Sequence, residues 1–362
     1  MKIKPALLIF IIVIALLFNC GKSDETYTIE IKDGVKYIHN HTPLWGDTLK
    51  VALEFVQKIG ELDGDDENYL LYKPYDLVRD ADENTYILDN GNYRIQKFDR
   101  NGKYLATIGR KGQGPGEFGF SKKLEMDSKG NLYVADLNGC LILTNDGKEI
   151  NRIVFLREFS CVTRAGNILN NTSNNAAENI ARDCPLISLY DADGNFIKAF
   201  GERKDYGDRL RTLFGNYYGL YVDKDDNIYA AFDDQNRIEK YSPGGNLIFR
   251  TDRPINIELG VDEEHSIIFE PGRGILSFYR LTAGIGIDHK NRIWVKTYKK
   301  LKEEGDNPTD YFELEIFDND GILLGNLPIP QNFNYMRIFQ DLVYLIDRDE
   351  EMCVYEYKIV EK

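Results

Sequence analysis

Apolar and polar residues alternate over short stretches along most of the chain, and turns rich in Asp, Asn and Gly separate these stretches. Alternation with a period of two predicts half-buried β-strands. Asp, Asn and Gly suit tight hairpins, which need positive φ or a side chain that caps its own backbone. The pattern therefore predicts an all-β protein made of many short strands.

One unit of strand, Asp-rich turn and second strand recurs along the chain. Its clearest copies are Arg79–Asp89, Met126–Asp136, Val222–Phe232 and Ile287–Thr297, and its degenerate copies are Val162–Leu169 and Ile338–Asp347. The copies share one aromatic or aliphatic anchor each: Tyr86, Tyr133, Leu169, Tyr229, Trp294 and Tyr344. Successive anchors lie 47, 36, 60, 65 and 50 residues apart. Six units near fifty residues, each made of strands, predict the blades of a six-bladed β-propeller.

Each unit has a second half with two further strands, clearest in Arg94–Gly109 and Pro185–Gly201. A blade is therefore strand a, turn, strand b, loop, strand c, turn and strand d. The last unit ends after Cys353–Ile359, which is a strand c without a strand d. Because Val51–Gly60 resembles the strand d of the first unit, we expect this N-terminal strand to close the last blade and leave no open edge.

The motifs resemble those of NHL-repeat propellers, in the style of bacterial six-bladed propeller lipoproteins. Gly109–Phe118 between blades, Leu132–Asp136 and Asn92–Asp99 carry the resemblance, which covers roughly residues 50 to 362. The resemblance implies a binding platform, since enzymes form a minority of such proteins. Fold alone does not establish function.

The N-terminus looks like a lipoprotein signal peptide. Lys2 and Lys4 precede an apolar run, Ala6–Phe18, that is too short to span a bilayer as a helix. Leu17–Cys20 resembles a lipobox, in which the Cys20 thiol takes the lipid. We expect a signal peptide over 1–19, a lipid-anchored linker with a small Asp33-Gly34 β-hairpin over 20–47, and the propeller over 48–362.

The b–c and d–a loops, which share one face of the ring, hold every long insertion, whereas the a–b and c–d turns are short. Loops on a rigid scaffold commonly carry function, so we expect the ligand or partner to meet the b–c/d–a face near the channel mouth. The basic residues in these loops are candidate ligand contacts on an acidic protein: Arg110, Lys111, Arg203, Lys204, Arg209, Arg211 and Arg273.

The net charge and the spacing of possible metal ligands restrict the functions that the sequence supports. The net charge of −14 argues against nucleic acid, which needs a basic footprint. Asp80-x-Asp82-x-Asn84 resembles the start of a calcium loop but lacks its Gly and its final Glu, so we expect a turn and no metal or cofactor, with calcium left open. No catalytic motif stands out.

One disulfide is expected among Cys140, Cys161 and Cys184, with Cys161 paired to either of the others.

The sequence thus predicts a non-enzymatic envelope lipoprotein, at the outer membrane or facing the periplasm, that touches the membrane only through its lipid. It would act as a binding scaffold for a protein, peptide or glycan. The alternative is a metal-dependent propeller hydrolase or lyase with its site at the channel mouth. Convergent carboxylates and His in the channel would favour that alternative.

Overall fold

The computed structural model describes residues 25–157, 159–171, 185–207, 212, 215–254, 267–269, 276–278, 282–300 and 303–362. In these ranges the strands form seven sheets, six of which are arranged as the blades of a β-propeller. The prediction of an all-β, six-bladed ring is confirmed. A short helix, α1 (Pro308–Tyr311), precedes the third strand of blade five, and a separate hairpin, β20 (Ile267–Phe269) and β21 (Leu276–Phe278), lies between blades four and five.

Each blade has four antiparallel strands in the order a to d. Blades one and two contain β4 (Pro74–Arg79), β5 (Thr85–Asp89), β6 (Arg94–Phe98), β7 (Tyr104–Ile108), β8 (Ser121–Met126), β9 (Leu132–Asp136), β10 (Gly139–Leu143) and β11 (Glu149–Ile153). Blades three and four contain β12 (Cys161–Val162), β13 (Ile168–Asn171), β14 (Ile187–Tyr190), β15 (Phe196–Phe200), β16 (Tyr218–Val222), β17 (Ile228–Phe232), β18 (Arg237–Tyr241) and β19 (Leu247–Asp252).

Blades five and six contain β22 (Thr282–Ile287), β23 (Ile293–Tyr298), β24 (Phe312–Phe317), β25 (Leu323–Pro328), β26 (Tyr335–Phe339), β27 (Leu342–Asp347), β28 (Cys353–Glu361) and, as strand d of blade six, β3 (Val51–Ile59). β3 pairs antiparallel with β28 along the whole of its length. The N-terminal segment therefore completes the C-terminal blade, as the sequence predicted. Strands a of neighbouring blades lie side by side in the order β4, β8, β12, β16, β22, β26 and back to β4.

The predicted Asp33-Gly34 hairpin is present as β1 (Tyr27–Lys32) and β2 (Val35–Asn40), but it does not stand apart from the ring. β2 pairs in parallel with β19, so blade four has six strands. Ile38 is buried in the core, and the Asn40 amide donates to Thr251 Oγ1 at 2.8 Å. These contacts make the hairpin part of the propeller, whereas the sequence placed it in a separate linker.

The chain then crosses blade five on its way to blade six. The backbone N–H groups of Leu44 and Trp45 donate to the carbonyls of Leu323 and Leu324, and the Trp45 ring packs over Gly325. The N-terminal segment thus runs along the outer edges of blades four, five and six. It ties three blades together before the first complete blade begins.

Six clusters of buried apolar side chains account for the core in the described part of the chain. Each lies between two neighbouring blades, so every interface in the ring has its own cluster. The repeat anchors Tyr86, Tyr133, Tyr229, Trp294 and Tyr344 are all at most 2% exposed. Burial of apolar surface at each interface is therefore what holds the blades in a ring.

The Asp-rich a–b turns are local hydrogen-bonded structures that also fix the anchors. Asp223 accepts from the backbone and side-chain amides of Asn227 at 2.9 Å each and from the Tyr229 hydroxyl at 3.1 Å. The turns that begin at Asp80, Asp127 and Asp288 repeat this arrangement. The recurring Asp therefore caps its own turn and positions the buried aromatic residue six positions later.

The expectation of a disulfide was wrong for Cys140 and Cys161, which are both buried, free thiols, as is Cys353. Cys140 packs in the apolar interface between blades two and three, and the Cys161 thiol lies 3.6 Å from Glu125 Oε1 beneath the channel mouth. Each thiol thus contacts different neighbours and remains a free thiol. Cys20 and Cys184 lie outside the described residues. The helices in the described ranges include none long and apolar enough to cross a membrane.

Candidate functional site

The first residues of strands a surround a cavity of about 310 Å³ at one end of the central channel. All six blades contribute to it, because strands β4, β8, β16, β22 and β26 and Ser160, just before β12, reach its wall. Strand a begins where the d–a loop ends, so the cavity lies at the b–c/d–a face. This is the face on which the sequence placed the binding region.

The two sides of the cavity differ in character. Blades six, one and two supply aromatic and charged side chains: Tyr335, Arg337, Tyr75, Asp76, Lys122 and Lys123. Blades four and five supply, together with Tyr218 and Asp233 of blade four, mainly small or neutral residues: Gly219, Leu220, Thr282, Ala283, Gly284 and Ile285. In the described part of the chain, the cationic side chains of the cavity therefore all lie on one side.

An ion-pair network lies on the cationic side of the cavity. We call it the clasp and define it as Asp76, Lys123, Glu125 and Arg337. Arg337 donates from Nε to Asp76 Oδ1 at 2.6 Å and from Nη2 to Asp76 Oδ2 at 2.7 Å, and Nη2 also contacts Glu125 Oε1 at 2.9 Å. Lys123 Nζ lies 3.1 Å from Glu125 Oε1. The clasp joins blades six, one and two at the centre of the ring.

The clasp sets the charge state of its members. Burial alone would raise the pKa of the Asp76 carboxyl, but the charges of Arg337 and Lys123 outweigh it and hold the pKa below its ordinary value. Asp76 also accepts from the backbone N–H groups of Leu77 and Leu124 at 2.9 and 3.0 Å. Asp76 is therefore ionised and fully engaged at neutral pH, which does not suit a general base.

A pair of tyrosines forms the rim above the clasp. The Tyr75 and Tyr335 rings are tilted by 32° with centroids 4.8 Å apart, and the Arg348 guanidinium lies 5.1 and 5.7 Å from the two centroids. Both tyrosines are half-buried, so part of each ring is accessible from the cavity. The rim thus presents aromatic surface to any ligand that enters.

The predicted basic contacts do not line this cavity in the described part of the chain. Arg110 is exposed and pairs with Glu117 at 2.7 Å, and Lys111 lies 4.6 Å from the Tyr93 ring. Arg203 is 9% exposed, and the backbone N–H of Lys204 donates to Asn216. Arg209, Arg211 and Arg273 lie outside the described residues, as does most of the long insertions.

The cavity residues were not predicted, although the sequence contains a signal for them. Asp76, Lys123, Gly219 and Gly284 each lie ten positions before the aromatic anchor of their blade, and all four line the cavity. Charged residues at that position in blades one and two, with glycine in blades four and five, mark the two sides of the site.

The described residues contain no group of three or more His, Cys, Asp and Glu side chains placed to hold a metal ion. The carboxylates Asp76 and Glu125 contact Arg337 and Lys123, Asp233 also lines the cavity, and none of the lining residues in the described ranges is a histidine. The Asp80 carboxylate, at the start of the calcium-like sequence, accepts bonds from Asn84 and Tyr86 within its own turn.

Comparison with known proteins supports the six-bladed propeller fold. Residues 61–164 match the family DUF5128, which is described as "6-bladed beta-propeller". The chain is a six-bladed β-propeller. No curated protein matches the sequence.

Solved propellers resemble the chain in fold at low sequence identity. A protein from Bacteroides fragilis, provisionally described as exported, has a TM-score of 0.58 and 15% identity and covers 90% of this chain and 99% of its own. A DUF4221 member from Bacteroides vulgatus has a TM-score of 0.54 and 12% identity, covering 86% and 99%. Virginiamycin B lyase from Staphylococcus aureus has a TM-score of 0.48 and 13% identity, covering 92% and 94%. The first two structures, which have TM-scores above 0.5, show the fold alone.

Proposed function

We propose that the protein is a non-enzymatic envelope lipoprotein that binds a ligand or partner through the b–c/d–a face of its propeller. The observation that carries this proposal is the channel-mouth cavity of about 310 Å³, to which all six blades contribute. Pre-formed concave sites with a few convergent polar groups are the usual binding sites of proteins. The cavity also lies on the face that holds the long insertions.

The charge arrangement favours binding over catalysis. A hydrolase or lyase of the metal-dependent kind needs carboxylates or imidazoles free to hold the ion. Asp76 and Glu125 are instead neutralised by Arg337 and Lys123 at 2.6 to 3.1 Å. The third carboxylate, Asp233, belongs to no group of three possible metal ligands in the described residues. This arrangement supports a rigid, polar floor for a ligand.

The cavity-filling variant Gly219→Phe tests the binding site. A Cβ at Gly219 would meet only Ile285 Cγ2 at 3.8 Å, so the backbone accepts a side chain there. Gly244→Phe is the control, because Gly244 lies in a c–d turn on the opposite face and also lacks close neighbours. We would measure thermal shifts of the full-length chain in detergent against panels of sugars, sugar acids and peptides.

Compounds that stabilise the parent chain and Gly244→Phe but not Gly219→Phe would support the proposal. Stabilisation that persists in Gly219→Phe would place binding elsewhere. Turnover of ester or lactone substrates that depends on added Ca²⁺ and is lost in Gly219→Phe would overturn the non-enzymatic assignment in favour of the hydrolase or lyase alternative.

The proposed anchor is a lipid on Cys20, which lies seven residues before the first residue of β1. A seven-residue segment spans at most about 25 Å, so the outer edge of blade four would lie within that distance of the bilayer. Cys20→Ser should release the protein from the membrane fraction. Membrane attachment that survives this substitution would rule out lipidation as the anchor.

A further inference from the structure

We infer that the channel-mouth cavity binds a sugar acid, meaning a pyranose ring that carries a carboxylate. This inference rests on the proposed binding function and names the ligand class for the same site. It starts from the asymmetry of the cavity. In the described part of the chain, the cationic side chains of the lining all lie in blades six and two, and the opposite wall in blades four and five consists mainly of small residues, with Tyr218 and Asp233 among them. The uncharged part of a ligand would lie against the small residues of blades four and five, and its charged group would face the cationic side.

Lys122 supplies the cation for the carboxylate. Arg337 and Lys123 already contact Asp76 and Glu125 within the clasp, whereas Lys122 has no carboxylate partner in the described part of the chain. Its ammonium group lies 5.5 Å from the Phe120 ring, and its side chain is exposed at the cavity wall. A carboxylate beside Lys122 would gain a charge-assisted hydrogen bond that the free protein lacks.

The tyrosine rim supplies the surface for the ring. Tyr75 and Tyr335 lie next to each other with centroids 4.8 Å apart, and both line the same cavity as Lys122. The face of an aromatic ring carries negative partial charge, so it attracts the polarised C–H groups on one face of a pyranose. Ring stacking and carboxylate binding would thus occur side by side.

Polar groups around the remaining wall favour a hydroxylated ring over an aromatic one. Ser160 and Thr282 each carry a hydroxyl group that donates and accepts. A sugar ring offers hydroxyl groups to both. An aromatic carboxylate would satisfy Lys122 and the tyrosines but would desolvate these polar groups without partners, which is costly.

The test is isothermal titration calorimetry on the full-length chain in detergent, with D-galacturonate and its dimer and trimer as probes. D-galactose is the neutral control, and 4-hydroxybenzoate is the aromatic control. We expect galacturonates to bind at least about tenfold more tightly than either control. Lys122→Gln should weaken galacturonate binding by about tenfold. Lys129→Gln, at the opposite end of the same blade, should change it less than about twofold.

The tyrosine rim is tested separately. Tyr75→Phe keeps the ring and should retain galacturonate binding, whereas Tyr75→Ala should lose it. Equal binding of D-galactose, tighter binding of 4-hydroxybenzoate, or an unchanged affinity in Lys122→Gln would each overturn the sugar-acid inference. If galacturonates fail while another compound still shows stabilisation that Gly219→Phe abolishes, the binding function stands and only the ligand class is wrong.

Discussion

Arg337 and Asp76 are separated by 261 residues in the chain and form a two-point ion pair that joins blade six to blade one. Their two hydrogen bonds are 2.6 and 2.7 Å long, and both side chains are buried. β3 closes the ring at its outer edge within blade six, and this pair connects the same blade to blade one at the centre. The seam where the two ends of the chain meet is therefore fastened in two places.

Removing one partner of this pair should be costly. Arg337→Met leaves Asp76 buried without its main counter-charge, and breaking a buried pair in this way costs about 3–5 kcal/mol. The double variant Asp76→Asn/Arg337→Met should lose less than the two single losses combined, because no uncompensated charge remains at Asp76. Urea unfolding of the four proteins measures the coupling. Strict additivity would show that the pair does not stabilise the seam.

The same pair predicts an acid response. The pKa of Asp76 is lower in the folded protein than its ordinary value of 3.8, so the unfolded chain takes up the proton first. The stabilisation is complete at neutral pH and disappears as the pH falls below 3.8 through the folded pKa. The Asp76→Asn/Arg337→Met variant should lose less stability than the parent chain over that acidic range.

The architecture was predictable because it repeats. An Asp that caps a turn and an aromatic anchor six positions later recur in four blades, so a chemically simple requirement appears several times in one sequence. The closing strand was predictable for the same reason, since Val51–Gly60 resembles strand d of blade one while the last unit lacks that strand.

The cavity was harder to predict because it depends on what differs between blades. The six inner strands meet around one axis, so residues such as Arg337 and Asp76 become neighbours only once the number of blades and their register are fixed. The docking of β2 on β19 was missed for a similar reason. It is a parallel pairing between residues more than 200 positions apart, and the alternation within the hairpin does not specify its partner.

Removing β3 should open the ring. Deletion of residues 48–60 exposes the edge of β28 and the buried side chains of Val354 and Ile359, so we expect loss of the cooperative thermal transition. Because β3 is a single continuous strand, a synthetic peptide of residues 48–60 added in trans should restore part of the transition. An unchanged melting curve in the deletion variant would refute closure by this strand.

The c–d turn glycines should matter at the interfaces between blades. Gly245 has φ +76°, and a Cβ there would lie 2.7 Å from Phe200 Cδ1 in the preceding blade. Gly130, which lies in the a–b turn of blade two and serves as the control, has φ +83° and no atom within 4 Å of its Cβ position. Ala at either site is destabilised by the positive φ. Only Gly245→Ala also overpacks an interface, which should lower the free energy of unfolding by a further amount of about 1–3 kcal/mol. Equal losses in urea unfolding would show that the glycine contact is not tight.

A buried lysine in blade five should make stability depend on pH. Lys296 is 2% exposed, donates to the Phe333 carbonyl at 2.6 Å and lies 3.9 and 4.0 Å from the centroids of the Phe312 and Phe333 rings. Burial lowers the pKa of its amine from 10.5 to about 7. Between those two pH values the unfolded chain holds a proton that the folded chain has released.

Stability should therefore rise with pH above about 7, by at most about 1.4 kcal/mol per pH unit from this group, and level off near 10.5. Lys296→Met keeps a similar shape without the charge, so it should be more stable than the parent chain at pH 7, and this advantage should shrink as the pH rises to 9.5. Lys129→Met, an exposed control, should show no such change. Chemical unfolding of the three proteins at pH 6, 7.5 and 9.5 measures the difference, and a constant gap between Lys296→Met and the parent chain would mean that Lys296 does not titrate in this range.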